Sequence, residues 1–156
     1  SILFMIAPLT AISLWHDSPP LLIKIAAPLT IGLYLLYIGI HLIKNIIRHT
    51  TVTGHTLIGV LDSYLIIGLS YACLFFAIYQ HNDSAFSGIL NNQLSPWVDV
   101  IHFSFATLTT VGWGYIAPLS DLARIVAIME AVSGIVFSTI IISRFANMYW
   151  KNNIKS

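Results

Sequence analysis

The sequence predicts an all-α membrane protein, and three observations carry that prediction. Of its 156 residues, 57% are hydrophobic and only 8% are charged, which leaves too few polar side chains to cover a soluble domain of this length. The mean hydropathy is +0.84. Several apolar runs also reach the ~20 residues that a helix needs to cross a bilayer. The net charge of +1 provides no basic surface, so we expect no nucleic-acid partner.

The apolar runs predict four transmembrane segments. The first, residues 2–15, would extend only ~21 Å as a helix. We interpret it as a trimmed first helix rather than a signal peptide, because no basic stretch precedes it and no small-residue cleavage site stands out. The other three spans are predicted at residues 21–43, 57–79 and 121–149.

Two shorter stretches separate the last two spans. Residues 80–96 contain Asn, Asp, Ser and Gly and predict a polar loop. Residues 97–109 are apolar but too short to cross the bilayer. They predict a short helix that re-enters the membrane from one side, which is tolerated where the backbone is buried in protein or lines a cavity.

Residues 107–115 read Thr-Leu-Thr-Thr-Val-Gly-Trp-Gly-Tyr and carry the clearest functional signal. Gly112 and Gly114 lack a Cβ atom and can adopt left-handed backbone angles, so neighbouring carbonyls can point to one side. Thr110 adds a hydroxyl at the inner end of this run. Four copies around an axis would form stacked oxygen rings that replace the hydration shell of K⁺.

The stretch from Phe103 to Pro118 resembles the pore domain of the potassium-channel superfamily, and the wider resemblance runs from about residue 57 to residue 148. The resemblance assigns the outer helix, pore helix and inner helix to residues 57–79, 97–109 and 121–149. It assigns a filter segment, residues 110–114, consisting of Thr110, Val111, Gly112, Trp113 and Gly114. It places K⁺ at Thr110, Val111, Gly112 and Trp113, and it makes Gly134 the hinge of the inner helix.

Two residues depart from the family pattern. Trp113 stands where the family usually has Tyr, and Tyr115 stands where the family usually has Asp. The first change implies altered packing behind the filter, and the second implies that a bracing carboxylate is absent.

The leading functional hypothesis is a passive K⁺-selective channel. A weakly selective or nonselective cation channel is the alternative, and a non-conducting membrane sensor or scaffold is a second one.

Four residues are predicted to support the filter. The pore helix would end near Thr109 and direct partial negative charge toward the axis. His102 could pack, hydrogen-bond near the filter or titrate, and Tyr115 follows the second filter glycine. Glu130 lies in an apolar helix, where an ionised carboxylate costs several kcal/mol unless it is paired or hydrated. We expect it to brace the filter through a polar group behind the filter, through a pore helix, or as a neutral acid.

One stripe of the last helix is predicted to line the pore cavity and the gate. Its members are Ile135, Ser138, Ile142 and Ala146. A neighbouring stripe of Phe137, Ile141 and Phe145 has the same helical spacing and is equally apolar. The choice of the first stripe therefore rests on the resemblance.

Chain organisation and assembly follow from the same pattern. Residues 1–56 would form two membrane helices and a cytoplasmic loop, residues 57–150 the pore domain, and residues 151–156 a cytoplasmic tail. With one filter segment, four chains are needed to close the pore, so we expect a homotetramer. The basic residues near the span ends favour cytoplasmic N- and C-termini in a plasma or bacterial inner membrane.

Several other functions are disfavoured. The first two segments lack the Arg or Lys at every third position that a voltage sensor needs. Neither a His-Glu-x-x-His pair nor a Gly-x-Ser-x-Gly turn is present, so we do not expect an enzyme. We expect no cofactor, and K⁺ is the permeant ion.

Overall fold

The computed structural model describes residues 20–48, 54–89 and 95–153, and these ranges are mostly helical. The helices are α1 (Leu21–Arg48), α2 (Gly54–His81), α3 (Pro96–Leu108) and α4 (Asp121–Asn153). By length and composition, α1, α2 and α4 each contain a stretch able to cross a membrane. The general class of a helical membrane protein is therefore confirmed. The predicted first segment, residues 2–15, lies outside the described residues, as do residues 154–156 of the tail.

The membrane helices extend beyond the apolar runs that predicted them. The span predicted at 21–43 belongs to a helix that continues to Arg48, and the one at 57–79 to a helix that begins at Gly54. The last helix continues to Asn153. Backbone hydrogen bonding does not stop where the side chains become polar, so hydropathy marks the span and not the helix end.

Helix α2 is the centre of the fold. Phe75 and Ala72 are fully buried on it, and Ile67, Tyr71 and Phe76 are nearly so. Helix α1 packs closely along α2, and an added Cβ atom at Gly32 of α1 would lie 2.9 Å from the backbone carbonyl of Ser70. Glycine at this position lets the two helix backbones approach, as small residues do at membrane helix contacts.

Three phenylalanine rings attach α3 to α2. The ring of Phe75 lies 5.0 Å from that of Phe103 on α3 and 5.8 Å from that of Phe86, and the rings of Phe86 and Phe103 lie 5.4 Å apart. All three pairs are edge-to-face, the arrangement that aromatic quadrupoles favour. This cluster holds the short helix beside the C-terminal half of α2.

The predicted polar loop at 80–96 is partly regular. A 3₁₀ turn spans Asp83–Ala85, and strand β1 (Phe86–Ser87) pairs antiparallel with strand β2 (Ala117–Pro118), which follows the filter segment. The carbonyl of Ala85 accepts hydrogen bonds from the backbone amides of Leu119 at 2.8 Å and Ser120 at 3.2 Å. The chain that follows the filter segment is thus tied to the turn after α2.

Candidate functional site

The site begins with α3, whose ends are set by local chemistry. Pro96 occupies a first-turn position, where its missing amide proton costs nothing, and Asp99 lies in the same turn. The helix ends at Leu108, one residue before the predicted end, and Thr109 is its C-cap. The Thr109 amide donates to the Phe105 carbonyl at 3.0 Å, and its hydroxyl donates to the same oxygen at 2.6 Å.

The C-terminal end of α3 is held by both long helices of the pore-like unit. The hydroxyl of Tyr64 on α2 donates to the Leu108 carbonyl at 3.3 Å. Gly134 on α4 contacts the same carbonyl so closely that a Cβ atom at this position would overlap it. Gly134 is therefore required for close packing of α4 against the end of α3. The hinge predicted at Gly134 stays a prediction, since α4 is helical on both sides of it.

The filter segment has an alternating backbone. Every second residue has positive φ: Thr110 at 59°, Gly112 at 58° and Gly114 at 79°. Glycine adopts such angles freely, whereas threonine adopts them at a cost of about 1–3 kcal/mol. The Gly112 amide donates to the Ala106 carbonyl at 3.1 Å, and the Thr110 amide donates to the Thr107 carbonyl at 3.0 Å. The segment is thereby folded back against the helix that precedes it.

Two side chains of the filter segment project away from the rest of the chain. Val111 is 56% exposed and Trp113 is 70% exposed. The Trp113 ring lies 6.5 Å from the ring of His102 on α3. These are large apolar surfaces for a single chain to leave uncovered.

His102 and Tyr115 form a direct contact beside the filter. The Tyr115 hydroxyl and His102 Nδ1 are 3.2 Å apart, and the two rings lie 5.2 Å apart. A cavity of about 100 Å³ lies between α3 and the filter, with His102, Ala106 and Gly112 in its wall. The residue that replaces the family's aspartate thus has a hydrogen-bonding partner on α3.

Glu130 is fully buried, and its partner lies on α3. The Ser104 hydroxyl is 2.5 Å from Glu130 Oε1 and 2.8 Å from the Gly68 carbonyl oxygen on α2. A serine hydroxyl has one proton and cannot donate fully to both acceptors. A proton on Glu130 would complete the chain, with Glu130 donating to Ser104 and Ser104 donating to Gly68. Oε2 of Glu130 has no hydrogen-bond partner among the described residues.

The two stripes of α4 occupy different environments. Phe137 and Ile141 are buried, and the Phe137 ring lies 5.2 Å from that of Tyr64. The stripe predicted to face the pore is exposed along its whole length; its members are Ile135, Ser138, Ile142 and Ala146. The buried stripe is therefore the one that packs within the chain, and the other is left for a different contact.

Sequence reasoning missed several contributors to this site. Ser104, Tyr64 and Gly68 were not singled out, although each bonds to or contacts a predicted site residue or the end of α3. Ser104 could have been identified from the sequence as a polar residue on the inward face of an apolar helix. The pairing of β1 with β2 had no signal, because two-residue strands show no alternation.

Known proteins resemble a large part of this chain. A family model described as ion channel matches residues 59–151. A protein from Arabidopsis thaliana named two-pore potassium channel 5 is 34% identical over 104 residues, which make up 67% of this chain and 21% of that protein. The chain thus spans about a fifth of the length of this relative. No solved structure matches.

Proposed function

This chain belongs to the potassium-channel superfamily, through the ion channel family that its residues 59–151 match, and we propose that it is a passive K⁺-selective channel. Members of such a family conduct ions and do not catalyse reactions. The three apolar helices make the chain a membrane protein. Further observations support the finer parts of the proposal, which are the selectivity, the coordinating residues and the assembly.

The observation that carries the proposal is the alternating backbone of the filter segment. Positive φ at Thr110, Gly112 and Gly114 reverses the turn of the chain at every second residue, which brings successive carbonyls toward one side. Backbone carbonyl rings of this kind can replace the hydration shell of K⁺. We assign K⁺ coordination to Thr110, Val111, Gly112 and Trp113.

The helix α3 adds an electrostatic contribution. Its C-terminal end at Leu108 lies directly before the filter segment, and a helix C-terminus carries partial negative charge of about half an electron. Four such ends around an axis would stabilise a cation below the filter. The contacts of Tyr64 and Gly134 with Leu108 keep that end in position.

The contact between Tyr115 and His102 supports a filter that is braced from α3 without an acid. Their separation of 3.2 Å allows a hydrogen bond in either direction, depending on the histidine tautomer. Such a bond would hold the outer end of the filter against the pore helix. It would take the place of the carboxylate that the family usually has after the second glycine.

We assign the cavity and the gate to the exposed stripe of α4. In one chain Ile135 is 57% exposed and Ile142 is 68% exposed. Around a four-fold axis these apolar side chains would face each other, and a ring of them near the inner end can stop ions by dewetting. A homotetramer is proposed because a single filter segment needs three more copies to close a pore.

The proposed orientation puts the filter mouth outside the cell. Lys44 lies near the C-terminal end of α1 and Arg144 in the C-terminal third of α4. Both would be cytoplasmic under the positive-inside rule. The membrane would be a plasma or bacterial inner membrane.

The test is the reversal potential of the purified protein in planar bilayers with K⁺ on one side and Na⁺ on the other. A value close to the K⁺ equilibrium potential is expected. A value near zero would favour the weakly selective alternative, which the replacement of the family residues by Trp113 and Tyr115 motivates. No current from an intact tetramer at any voltage would favour a non-conducting sensor or scaffold.

A further inference from the structure

We propose that a cavity between α1, α2 and α4 is a binding site for a small apolar alcohol or phenol that enters from the lipid. The cavity has a volume of about 270 Å³. It is larger than the ~150 Å³ apolar cavity that suffices for benzene in an engineered protein. Its wall consists of aliphatic and aromatic side chains from all three helices, with one pair of hydroxyl groups.

The hydroxyl pair determines the chemistry of the occupant. The Tyr71 hydroxyl lies 3.0 Å from Ser133 Oγ, and the Ser133 hydroxyl donates to the Met129 carbonyl at 2.7 Å. Since Ser133 uses its one proton within α4, Tyr71 must be the donor of the pair. The phenolic oxygen of Tyr71 keeps a lone pair and has no proton left. An occupant that satisfies this oxygen must therefore donate a hydrogen bond.

The uncharged wall of the cavity excludes ionised occupants. Apart from the phenol of Tyr71, the residues in the wall carry no acidic or basic group. An ammonium or a carboxylate would lose its hydration there without gaining a partner. A neutral hydroxyl on an apolar body meets both requirements, because its body replaces water in the apolar part and its proton reaches Tyr71.

The cavity has a route to the membrane interior. Val136 and Ile140 on α4 are 49% and 39% exposed, and Ile40 on α1 is 45% exposed. These residues form part of the wall and lie in helices apolar enough to span the bilayer. An alcohol dissolved in the lipid would reach Tyr71 between them. Once bound, it would lie against the hydrogen bond that joins α2 to α4.

The experiment is photolabelling of the purified full chain in lipid nanodiscs with an octanol that carries a diazirine, followed by peptide mass spectrometry. We expect label on the α1 and α4 residues of the cavity wall, displaced by excess 1-octanol and not by octane. Tyr71→Phe should weaken the displacement by 1-octanol about fivefold, the effect of losing one neutral hydrogen bond. Tyr37→Phe is the matched control, because Tyr37 is 66% exposed on α1 and outside the cavity wall.

A second variant keeps the test decisive if Tyr71→Phe fails to fold. Val136→Trp should fill the cavity and abolish the label. Equal displacement by octane and 1-octanol would overturn the proposal, because the site would then recognise an apolar chain alone. Label spread over lipid-facing residues and unchanged by Val136→Trp would overturn it as well. Photolabelling detects binding and requires no ion current. A negative result would therefore contradict the proposed binding site without contradicting the proposed channel.

Discussion

Gly112 is a glycine because of its backbone angle and not because of crowding. Its φ is 58°, and no atom outside its immediate neighbours lies within 4 Å of the place where a Cβ atom would stand. The left-handed conformation costs an L-residue with a side chain about 1–2 kcal/mol. The need for glycine at this position comes from its own backbone angle and not from distant contacts, so it could be predicted from the sequence alone.

Gly112→Ala should therefore abolish K⁺ selectivity or conduction, because alanine disfavours the angle that aligns the carbonyls. The reversal potential under K⁺ and Na⁺ checks this. Gly59→Ala is the control, since a Cβ atom there would lie an ordinary 3.7 Å from Ile46. Unaltered selective current in Gly112→Ala would contradict the filter assignment.

Trp113→Tyr should leave the K⁺ preference intact or sharpen it. The indole is 70% exposed and lies beside His102, so the change alters packing around the filter and leaves the backbone unchanged. The relative permeability of K⁺ and Na⁺ in the variant provides the measurement. A loss of K⁺ preference would show that the indole itself is needed for selectivity.

Glu130→Gln should preserve folding, because an amide can donate to Ser104 as a protonated acid does. We expect its free energy of unfolding to stay within about 1 kcal/mol of the unaltered protein. Ser104→Ala should cost more, about 1–3 kcal/mol, because it leaves the buried Glu130 without this partner. Thermal unfolding of the assembled protein compares the two, with exposed Ser84→Ala as the control. Strong destabilisation by Glu130→Gln would indicate an ionised carboxylate.

Side-chain partners were harder to predict than backbone angles. Glu130 stands out in the sequence as an acid in an apolar helix, but its partner Ser104 is 26 positions away and is found only when α3 and α4 are packed together. The positive φ of Thr110 runs against threonine's own preference, so residue type gives no hint of it.

The contact of α3 with α4 explains Gly134 more directly than a hinge does. The glycine allows the inner helix to touch the Leu108 carbonyl, and the helix continues without a break through this position. The existence and order of the helices were predictable from apolar periodicity and length. Their contacts were not, because hydropathy does not say which glycine faces another backbone.

Gly134→Ala should separate α4 from α3 and destabilise the assembled protein by about 1–3 kcal/mol, the range for overpacking a tight contact. A lowered Tm together with reduced K⁺ current is expected. The conservative helix substitution Gly59→Ala again serves as the control. An unchanged Tm with an altered open probability would support the hinge instead.

The proposed assembly would account for surfaces that a single chain leaves exposed. One chain leaves exposed the side chains of Val111 and Trp113 in the filter segment and the stripe of Ile135, Ser138, Ile142 and Ala146 on α4. Four-fold closure was predicted from the sequence because one filter segment cannot surround an ion. The packing between copies was not predictable, since it depends on which face α2 and α3 leave uncovered.

Native mass spectrometry of the detergent-solubilised protein should give four times the chain mass of 17.3 kDa. The variant Phe86→Ala is the comparison for a folding defect. It removes a buried ring that packs on Phe75 and is expected to leave the number of chains unchanged. A mass of one or two chains under conditions that retain K⁺ conductance would contradict the homotetramer.

The hydrogen bonds between Ala85 and the chain after the filter segment would limit the length of the proposed conduction path. The loop leaves α3 at Leu108, whose carbonyl accepts a hydrogen bond from Tyr64 of α2. It ends where the carbonyl of Ala85, in the 3₁₀ turn after α2, accepts hydrogen bonds from the amides of Leu119 and Ser120. Both ends of the loop are thus attached to α2 or to the turn that directly follows it. Because neither end of the loop is free to shift, an inserted residue would have to bulge out within the loop. In the proposed channel, the number of carbonyls that the loop could present to an ion would consequently depend on the distance between Tyr64 and Ala85.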